Sequence, residues 1–270
     1  MSEIQHVELV SANGDSRVVV STWGGRVISW KYRGYDIIFR NGMLEHDEVA
    51  ASHAGIPVLF PQFGFFGDGV KHGFVRETNW RIESTGRDQC ILVVGQDEIK
   101  EGAASFHFVA RVIVQLDENR LRVWLQFENP SKSDEMTFTT GLHTYLSVDD
   151  IGNVNISGLQ GTNYLDATAD LAPSVELESV VEFATEVDRV YLDTSANLLL
   201  NSGRGQLIVD QSGFQDTVIW NPGSTLGPKF KDFTPDEWRR FVCIEAAQIQ
   251  NPVTLRPGET WTGSQTLTVR

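Results

Sequence analysis

Alternation of apolar and polar residues dominates the chain, and its clearest example lies near the middle. Residues 106–116 read FHFVARVIVQL and residues 121–127 read LRVWLQF, each with an apolar residue at every second position. An Asp-Glu-Asn segment at 117–119 separates the two runs and is typical of a turn. Because the side chains of a strand point alternately to its two faces, the pattern predicts a β-hairpin with one buried face.

Similar short runs recur along the whole chain, and Gly, Asn, Asp or Pro separates most of them. They read SRVVVSTW, RVISWKY, DIIFR, WRIES, CILVV, TFTTGLHTYL, VNISGL, NLLLNS, QLIVD, TVIWN, FVCIEAAQI and WTGSQTLTV. So many short strands at this spacing predict an all-β fold, a large antiparallel β-sandwich. No composition break, linker or repeat interrupts the series, so we predict a single domain over residues 1–270.

Two segments depart from the strand pattern. Residues 234–237, Thr-Pro-Asp-Glu, offer an N-cap, a proline at the first helical position and acidic residues in the first turn, which predicts a helix of one or two turns. Residues 54–67, AGIPVLFPQFGFFG, are strongly apolar but too rich in proline and glycine for a central strand. This segment either lines a cleft or closes one end of the sandwich as a buried loop.

Composition limits the partners. With 41% hydrophobic and 10% aromatic residues, the chain can bury an ordinary core. Its 22 basic and 36 acidic residues give a formal charge of −14. Nucleic acid and anionic membranes each require a basic surface, so we expect neither as a partner. Any phosphate site must be a local cluster of Arg, Lys or backbone N–H groups.

The sequence favours a cytoplasmic location, and we expect a monomer. The first ten residues, MSEIQHVELV, have neither the basic nor the apolar region of a signal peptide, and no apolar run is long enough to span a membrane. Cys90 and Cys243 are the only cysteines, and both have apolar neighbours. We expect them to be reduced residues of the core.

Several common chemistries lack their motifs in this sequence. It has no phosphate-binding P-loop, no dinucleotide-binding glycine motif between a strand and a helix, no H-E-x-x-H, no pair of C-x-x-C motifs and no G-x-S-x-G. We therefore expect no cofactor and no metal.

Histidines and one glutamate remain as candidates for catalysis. His72 lies in KHGFVRETNW and His143 in TTGLHTYLSV, and either could be structural when taken alone. Glu245 interrupts the apolar strand FVCIEAAQI. Burial raises the pKa of a carboxyl group, which suits a general base near neutral pH. The alternative is an edge strand on which Glu245 points into water.

Two dipeptides are open to two interpretations. Asp188-Arg189 is either a surface ion pair or part of a site. Trp220-Asn221 either stacks on a sugar or simply ends a strand.

Seven segments in order resemble the hexose-6-phosphate mutarotase branch of the aldose 1-epimerase superfamily. They are residues 23–39 (WGGRVISWKYRGYDIIF), 55–64 (GIPVLFPQFG), 71–80 (KHGFVRETNW), 141–148 (GLHTYLSV), 187–193 (VDRVYLD), 218–223 (VIWNPG) and 243–269 (CIEAAQIQNPVTLRPGETWTGSQTLTV). Each segment alone is weak evidence, but the ordered set runs from near the start of the chain to its end.

The resemblance implies a galactose-mutarotase-like sandwich and a sugar or sugar phosphate as substrate. It implies that Glu245 takes the proton of the anomeric hydroxyl while His143 protonates the ring oxygen. The ring then opens, rotation about C1–C2 exposes the other carbonyl face, and closure gives the second anomer. The remaining residues matched to the substrate cleft are His72, Arg76, Asp188, Gln62, Trp220 and His53.

One of these residues departs from the family pattern. The family commonly reads R-G-G-I-P where this chain has residues 53–57, HAGIP, so His53 stands where an arginine would help to hold the phosphate. A histidine is only partly charged at pH 7. Two alternatives therefore stay open, a mutarotase for free aldoses and a non-catalytic carbohydrate-binding protein on the same scaffold.

Overall fold

Strands form most of the regular structure in the computed structural model, which describes residues 3–99, 104–194 and 197–270. The strands are β1 (His6–Val10), β2 (Ser16–Ser21), β3 (Arg26–Tyr32), β4 (Tyr35–Asp36), β5 (Val58–Leu59), β6 (Arg81–Thr85), β7 (Gln89–Gly95), β8 (Val109–Leu116), β9 (Arg120–Glu128), β10 (Met136–Leu142), β11 (Tyr145–Ser147), β12 (Asn155–Ser157), β13 (Asn163–Asp166), β14 (Ala172–Val175), β15 (Val180–Val181), β16 (Val187–Tyr191), β17 (Leu198–Asn201), β18 (Gln206–Ser212), β19 (Asp216–Asn221), β20 (Phe241–Leu255) and β21 (Thr260–Val269).

Helical structure is confined to single turns in the described residues. One is α-helical, α1 (Gly223–Leu226). The others are 3-10 turns at Gly42–Glu45, Val75–Glu77, Gln96–Glu98, Ile151–Asn153, Ala167–Ala169, Gly227–Lys229 and Glu237–Arg240. No helix in the described ranges is long and apolar enough to cross a membrane.

The strands pair into three antiparallel sheets. The first has the order β1-β2-β3-β4, and the second has the order β14-β13-β16-β19-β20-β10-β5, with β11 also paired to β20. The third has the order β15-β12-β17-β18-β21-β9-β8-β7-β6. Buried apolar side chains from all three sheets form one continuous core. The predicted all-β sandwich is confirmed, whereas the single domain over residues 1–270 stays a prediction.

The predicted hairpin is present as β8 and β9, with Leu116 opposite Leu121 across the turn. The alternate residues of both strands are buried, as the sequence pattern requires. His107 precedes β8 and is exposed. The period-two pattern was therefore sufficient to place this part of the core.

The predicted helix near residue 235 is a single 3-10 turn, within the predicted length, but it begins two residues later than expected. Asp236 occupies the N-cap position of the 3-10 turn Glu237–Arg240. The Glu237 carboxylate accepts the backbone N–H of Thr234 at 2.7 Å. This hydrogen bond satisfies a donor at the start of the turn, but β20 begins at Phe241 and leaves no room for more helix.

Alternation along β20 separates two buried environments. Val242, Ile244 and Ala246 point into the main core. Phe241 and Cys243 point to the opposite face and pack in a separate aromatic cluster. Since odd and even residues of a strand face opposite ways, Glu245 shares the face of Cys243.

Candidate active site

The face of the second sheet that carries Cys243 brings several predicted site residues together. Register pairs Trp220 with both Asp188 and Cys243, and Val218 with Glu245. Residues directly opposite each other point to the same face of a sheet. Asp188, Trp220 and Glu245 therefore share one surface across three adjacent strands, β16, β19 and β20.

His143 reaches this surface from a break between two strands. It follows the end of β10 and precedes β11, and its backbone N–H donates to the carbonyl of Pro57 at 2.9 Å. The sequence interpretation of a continuous strand is therefore wrong at this residue. Its Nδ1 atom lies 3.4 Å from Oε1 of Glu245, and their side chains are only 9% and 2% exposed.

This pair keeps hydrogen-bonding capacity free. The 3.4 Å approach of His143 to Glu245 is not aligned as a hydrogen bond. Nδ1 of His143 and Oε2 of Glu245 are both buried and have no hydrogen-bond partner within the part of the chain that the structure describes. Buried polar atoms are rarely left unpaired in folded proteins, and a catalytic role is one reason for such an atom. Hydroxyl groups of a bound sugar are suitable partners.

Burial shifts the pKa of both groups toward the uncharged form. It raises the pKa of Glu245 well above its ordinary value, and nearby Asp188 adds to the rise. Burial lowers the pKa of His143 well below its ordinary value, and His72 and Arg76 lower it further. The arrangement thus favours a pair that holds one mobile proton in a dry environment.

His143 is held between aromatic rings. The ring of Tyr145 stacks on it at 4.6 Å between centroids and an interplanar angle of 5°. Trp220 meets it edge-on at 5.7 Å. Burial raises the pKa of Tyr145 well above its usual range, so its hydroxyl stays protonated, and it lies 3.5 Å from Nε2 of His143.

His72 enters the site from the irregular loop that contains residues 54–67. It has a left-handed backbone with φ of 66°, and Gly73 after it has φ of 69°. A Cβ at Gly73 would lie 2.0 Å from the carbonyl oxygen of Phe60, so only glycine fits there. This turn places the ring of His72 5.5 Å from that of His143.

The loop also sets the tautomer of His72. The backbone N–H of Gly64 donates to Nδ1 at 3.2 Å, which leaves Nε2 to carry the proton. Burial, followed by the charges of Arg76 and Lys71, lowers the pKa of His72 to about 3. His72 is therefore a neutral donor, suited to bind an oxygen of the substrate.

Gln62 lies at the base of the same loop. Its amide donates to the carbonyls of Gly64 at 2.9 Å and Gly69 at 3.3 Å and accepts from the N–H of Gly69 at 2.8 Å. These bonds use most of its capacity. The structure therefore shows Gln62 organising the loop that carries His72.

Asp188 and Arg189 do not pair with each other. They are adjacent on β16 and point to opposite faces, and Arg189 instead pairs with Glu176 at 2.9 Å. The surface ion pair considered for this dipeptide is absent. Burial raises the pKa of Asp188 to about 6.

His53 is fixed by a carboxylate that the sequence interpretation missed. Its Nδ1 lies 2.8 Å from Oδ1 of Asp232. Oδ2 of the same carboxylate accepts the backbone N–H groups of Ser52 and His53, each at 3.0 Å. Burial opposes the charge of Asp232, but the hydrogen bonds and charge of His53 lower its pKa overall. With Nδ1 committed, Nε2 of His53 has no hydrogen-bond partner among the described residues.

Arg76 stands beside His53. It donates to the carbonyl of Ser52 at 3.1 Å and is one of the charges that lower the pKa of Glu245. The ring of His53 lies 6.2 Å from that of Trp220. The side chains of Arg76 and His53 thus lie beside the buried pair of His143 and Glu245.

Four residues lie around the site but were not predicted to belong to it, namely Asp232, Tyr145, Cys243 and Lys71. The residues beside them in the sequence gave little indication of such a position. Asp232 lies 179 positions from His53, so only the folded chain brings the two together. Cys243 carried one usable signal, because it lies two residues from Glu245 and a strand places such residues on one face.

The fold and the buried pair fit a carbohydrate isomerase, and comparison with known proteins identifies the family. Residues 7–268 match the family described as aldose 1-epimerase. The chain therefore belongs to the aldose 1-epimerase family, whose members interconvert the anomers of aldoses.

Individual relatives make the comparison more specific. The chain is 29% identical over 256 residues to a protein of Cenchrus ciliaris named "Putative glucose-6-phosphate 1-epimerase", covering 89% of this chain and 78% of the relative. It is 28% identical over 229 residues to an Escherichia coli K12 protein of the same name, covering 83% and 77%. A crystal structure of a Salmonella typhimurium protein described as a "putative mutarotase" superposes with a TM-score of 0.83 at 23% identity, covering 100% of this chain and 91% of that one.

Proposed function

We propose that this epimerase acts on a hexose 6-phosphate, with Glu245 as the general base and His143 as the general acid. The observation that carries the assignment of the pair is its geometry. A histidine and a glutamate lie 3.4 Å apart in a buried site, and each has an atom free to contact substrate.

One proton shared by the pair is sufficient for the reaction. Burial favours the form in which Glu245 carries it and His143 is neutral. The anomeric hydroxyl of a sugar would donate to Glu245, which stabilises the carboxylate, and the charges of Arg76 and Lys71 act in the same direction. The proton then resides on His143, ready for the ring oxygen. The apparent pKa values of such a system belong to the pair as a whole.

The chemical steps follow from this arrangement. Glu245 takes the proton from O1 as His143 gives its proton to O5, and the C1–O5 bond breaks to leave an open-chain aldehyde. The C1–C2 bond rotates. O5 then attacks the other face of C1, returns its proton to His143, and O1 regains a proton from Glu245. His72 and Asp188 would hold ring hydroxyls, and Trp220 would form the wall.

Removal of either group tests the assignment. Glu245→Gln and His143→Asn should each lower anomer exchange about 10²-fold or more, because general acid–base catalysis contributes about 10²–10⁴-fold. Since the two groups act on one transition state, the double variant should lose much less than the product of the single losses. NMR exchange between anomers measures all three rates.

Glu176→Gln is the matched control, because Glu176 is also buried but faces Arg189 and Tyr191. Its exchange rate should stay near that of the wild type. A folded Glu245→Gln variant with wild-type exchange would show that Glu245 is not the base.

The phosphate assignment is supported by the groups beside the pair. His53 and Arg76 are adjacent, and Asp232 orients the ring of His53. Arginine matches phosphate oxygens with a planar fork, whereas the ring of His53 already uses Nδ1 to contact Asp232. Phosphate binding should therefore be weaker than with two arginines.

Substitution at these positions separates phosphorylated from free sugars. We expect wild type to prefer glucose 6-phosphate over glucose and galactose. His53→Arg should lower the KM for glucose 6-phosphate. Arg76→Ala should reduce kcat/KM for glucose 6-phosphate by a much larger factor than for glucose. Equal turnover of the sugars in wild type, unchanged by either substitution, would favour a mutarotase for free aldoses.

We also propose that the protein works as a cytoplasmic monomer with no nucleic-acid or membrane partner. The charge of −14 and two free, buried cysteines support this proposal. Light scattering would measure the mass in solution, and a dimer would contradict the monomer.

A further inference from the structure

A third donor lies beside the catalytic pair and has no part in the proposed proton transfers. Cys243 is fully buried on the same face of β20 as Glu245. One donor atom from each of His143, Cys243 and Glu245 lies within 4.8 Å of the other two. The described residues contain no other such group of three metal-binding side chains.

The spacing of these atoms suits a metal ion. Three atoms no more than 4.8 Å apart have a common centre at most about 2.8 Å from each, while zinc binds Cys, His and Glu at about 2.0–2.3 Å. A movement of less than about 1 Å by each side chain closes the difference. Three protein ligands with an open fourth position are typical of catalytic zinc sites.

The hydrogen bonding and charge of the three ligands also suit a bound cation. Nδ1 of His143 and Oε2 of Glu245 have no hydrogen-bond partner in the described chain, so a cation would displace no protein contact from them. One thiolate and one carboxylate also balance the two charges of the ion. Sulfur and nitrogen ligands favour zinc and similar soft ions over magnesium or calcium.

We propose that His143, Cys243 and Glu245 bind a thiophilic divalent cation such as Zn²⁺ or Cd²⁺, and that the bound ion inhibits the enzyme. Inhibition rests on the proposed function, because the ion occupies the acid and the base. The ion and the sugar compete for the same atoms. The metal is no cofactor here, so a chelator should not lower the exchange rate of metal-free enzyme.

Cadmium titration of the whole protein provides a readout that does not depend on catalysis. Wild type should show an ultraviolet cadmium–thiolate band that saturates at one equivalent. Cys243→Ser should lose the band. Cys90→Ala is the control, because Cys90 is equally buried in the core on β7, and it should retain the band.

Anomer exchange supplies the second readout. Zn²⁺ should inhibit wild type competitively with sugar, and excess EDTA should restore the rate. Cys243→Ser should exchange anomers at a rate near wild type and raise the inhibition constant for Zn²⁺ at least tenfold. Cys243→Ala, with its melting temperature checked, replaces the serine variant if that variant fails to fold.

The two readouts distinguish failure of this proposal from failure of the proposed function. A saturating band in a protein that exchanges no anomers would support the metal site and contradict the catalytic assignment. Absence of the band in wild type, or equal inhibition of wild type and Cys243→Ser, would overturn the metal site.

Discussion

The two faces of β20 bury neighbouring residues with opposite energetic results. Ile244 points into the main core, among apolar side chains from all three sheets. Glu245 points the other way, is 2% exposed, and has one carboxylate oxygen without a partner in the described residues. Removing an isoleucine side chain from water stabilises a fold by about 1.5–3 kcal/mol, whereas burying an unpaired carboxyl group costs stability.

The difference shows how one strand can support both folding and catalysis. The even residues of β20 hold it in place from one side, and this support makes the unfavourable burial on the other side tolerable. Burial in turn moves the pKa values of Glu245 and His143. Groups with shifted pKa values cluster at functional sites for this reason.

The largest expected effect on stability comes from the core face. Ile244→Ala should lower the free energy of unfolding by about 2–5 kcal/mol, because it leaves a cavity in a well-packed core. Exchange per folded molecule should change little. Urea denaturation and NMR exchange measure the two quantities. A loss of exchange larger than Glu245→Gln causes would show that the faces are not separable.

Glu245→Gln should have a smaller effect on stability than Ile244→Ala, and of the opposite sign. A carboxyl whose folded pKa is raised contributes stability below its unfolded pKa, and that stability is lost as pH rises through the folded pKa. The variant should therefore be more stable than wild type at neutral pH, with a gain that grows with pH by at most about 1.4 kcal/mol per unit. Thermal melts from pH 5 to 8 measure the trend.

Glu176→Gln again supplies the contrast. Glu176 is buried, but it accepts from Arg189 at 2.9 Å and from the hydroxyl of Tyr191 at 2.7 Å. Removing its charge weakens two charge-assisted hydrogen bonds, so this variant should be less stable than wild type. If both glutamine variants were destabilised alike, the free oxygen of Glu245 would not be a source of strain.

The sequence predicted which residues of a strand share a face better than it predicted the contacts that those residues make. Period-two alternation gave the hairpin of β8 and β9, and it identified Glu245 as an acidic residue in an apolar strand. Such patterns depend only on neighbours in the chain. The resemblance to the family then supplied the other candidate site residues, which include His143 and His53.

Contacts between distant segments could not be predicted in this way. The hydrogen bond between His53 and Asp232 joins parts of the chain that share no pattern. The helical turn predicted from residues 234–237 begins two residues later than expected, at Glu237. Similarly, residues 137–146 (TFTTGLHTYL) were interpreted as one strand, whereas β10 ends at Leu142 and β11 begins only at Tyr145.

The smallest expected effect concerns Asp188, which lies on the site face but is only partly buried. Burial raises its pKa from 3.8 to about 6. Its contribution to stability is therefore full below about pH 4 and is lost as pH rises toward 6. Relative to wild type, the free energy of unfolding of Asp188→Asn should rise by on the order of 1 kcal/mol across this interval. The change is small because water screens a partly exposed group. The gain in stability should stay constant above pH 6, whereas that of Glu245→Gln should continue to grow.

Asp117→Asn, in the exposed turn of the hairpin, should show no such trend in the same thermal melts. A gain for Asp188→Asn that is equal at pH 4 and pH 7 would show that the carboxyl is not held in its protonated form by the site face.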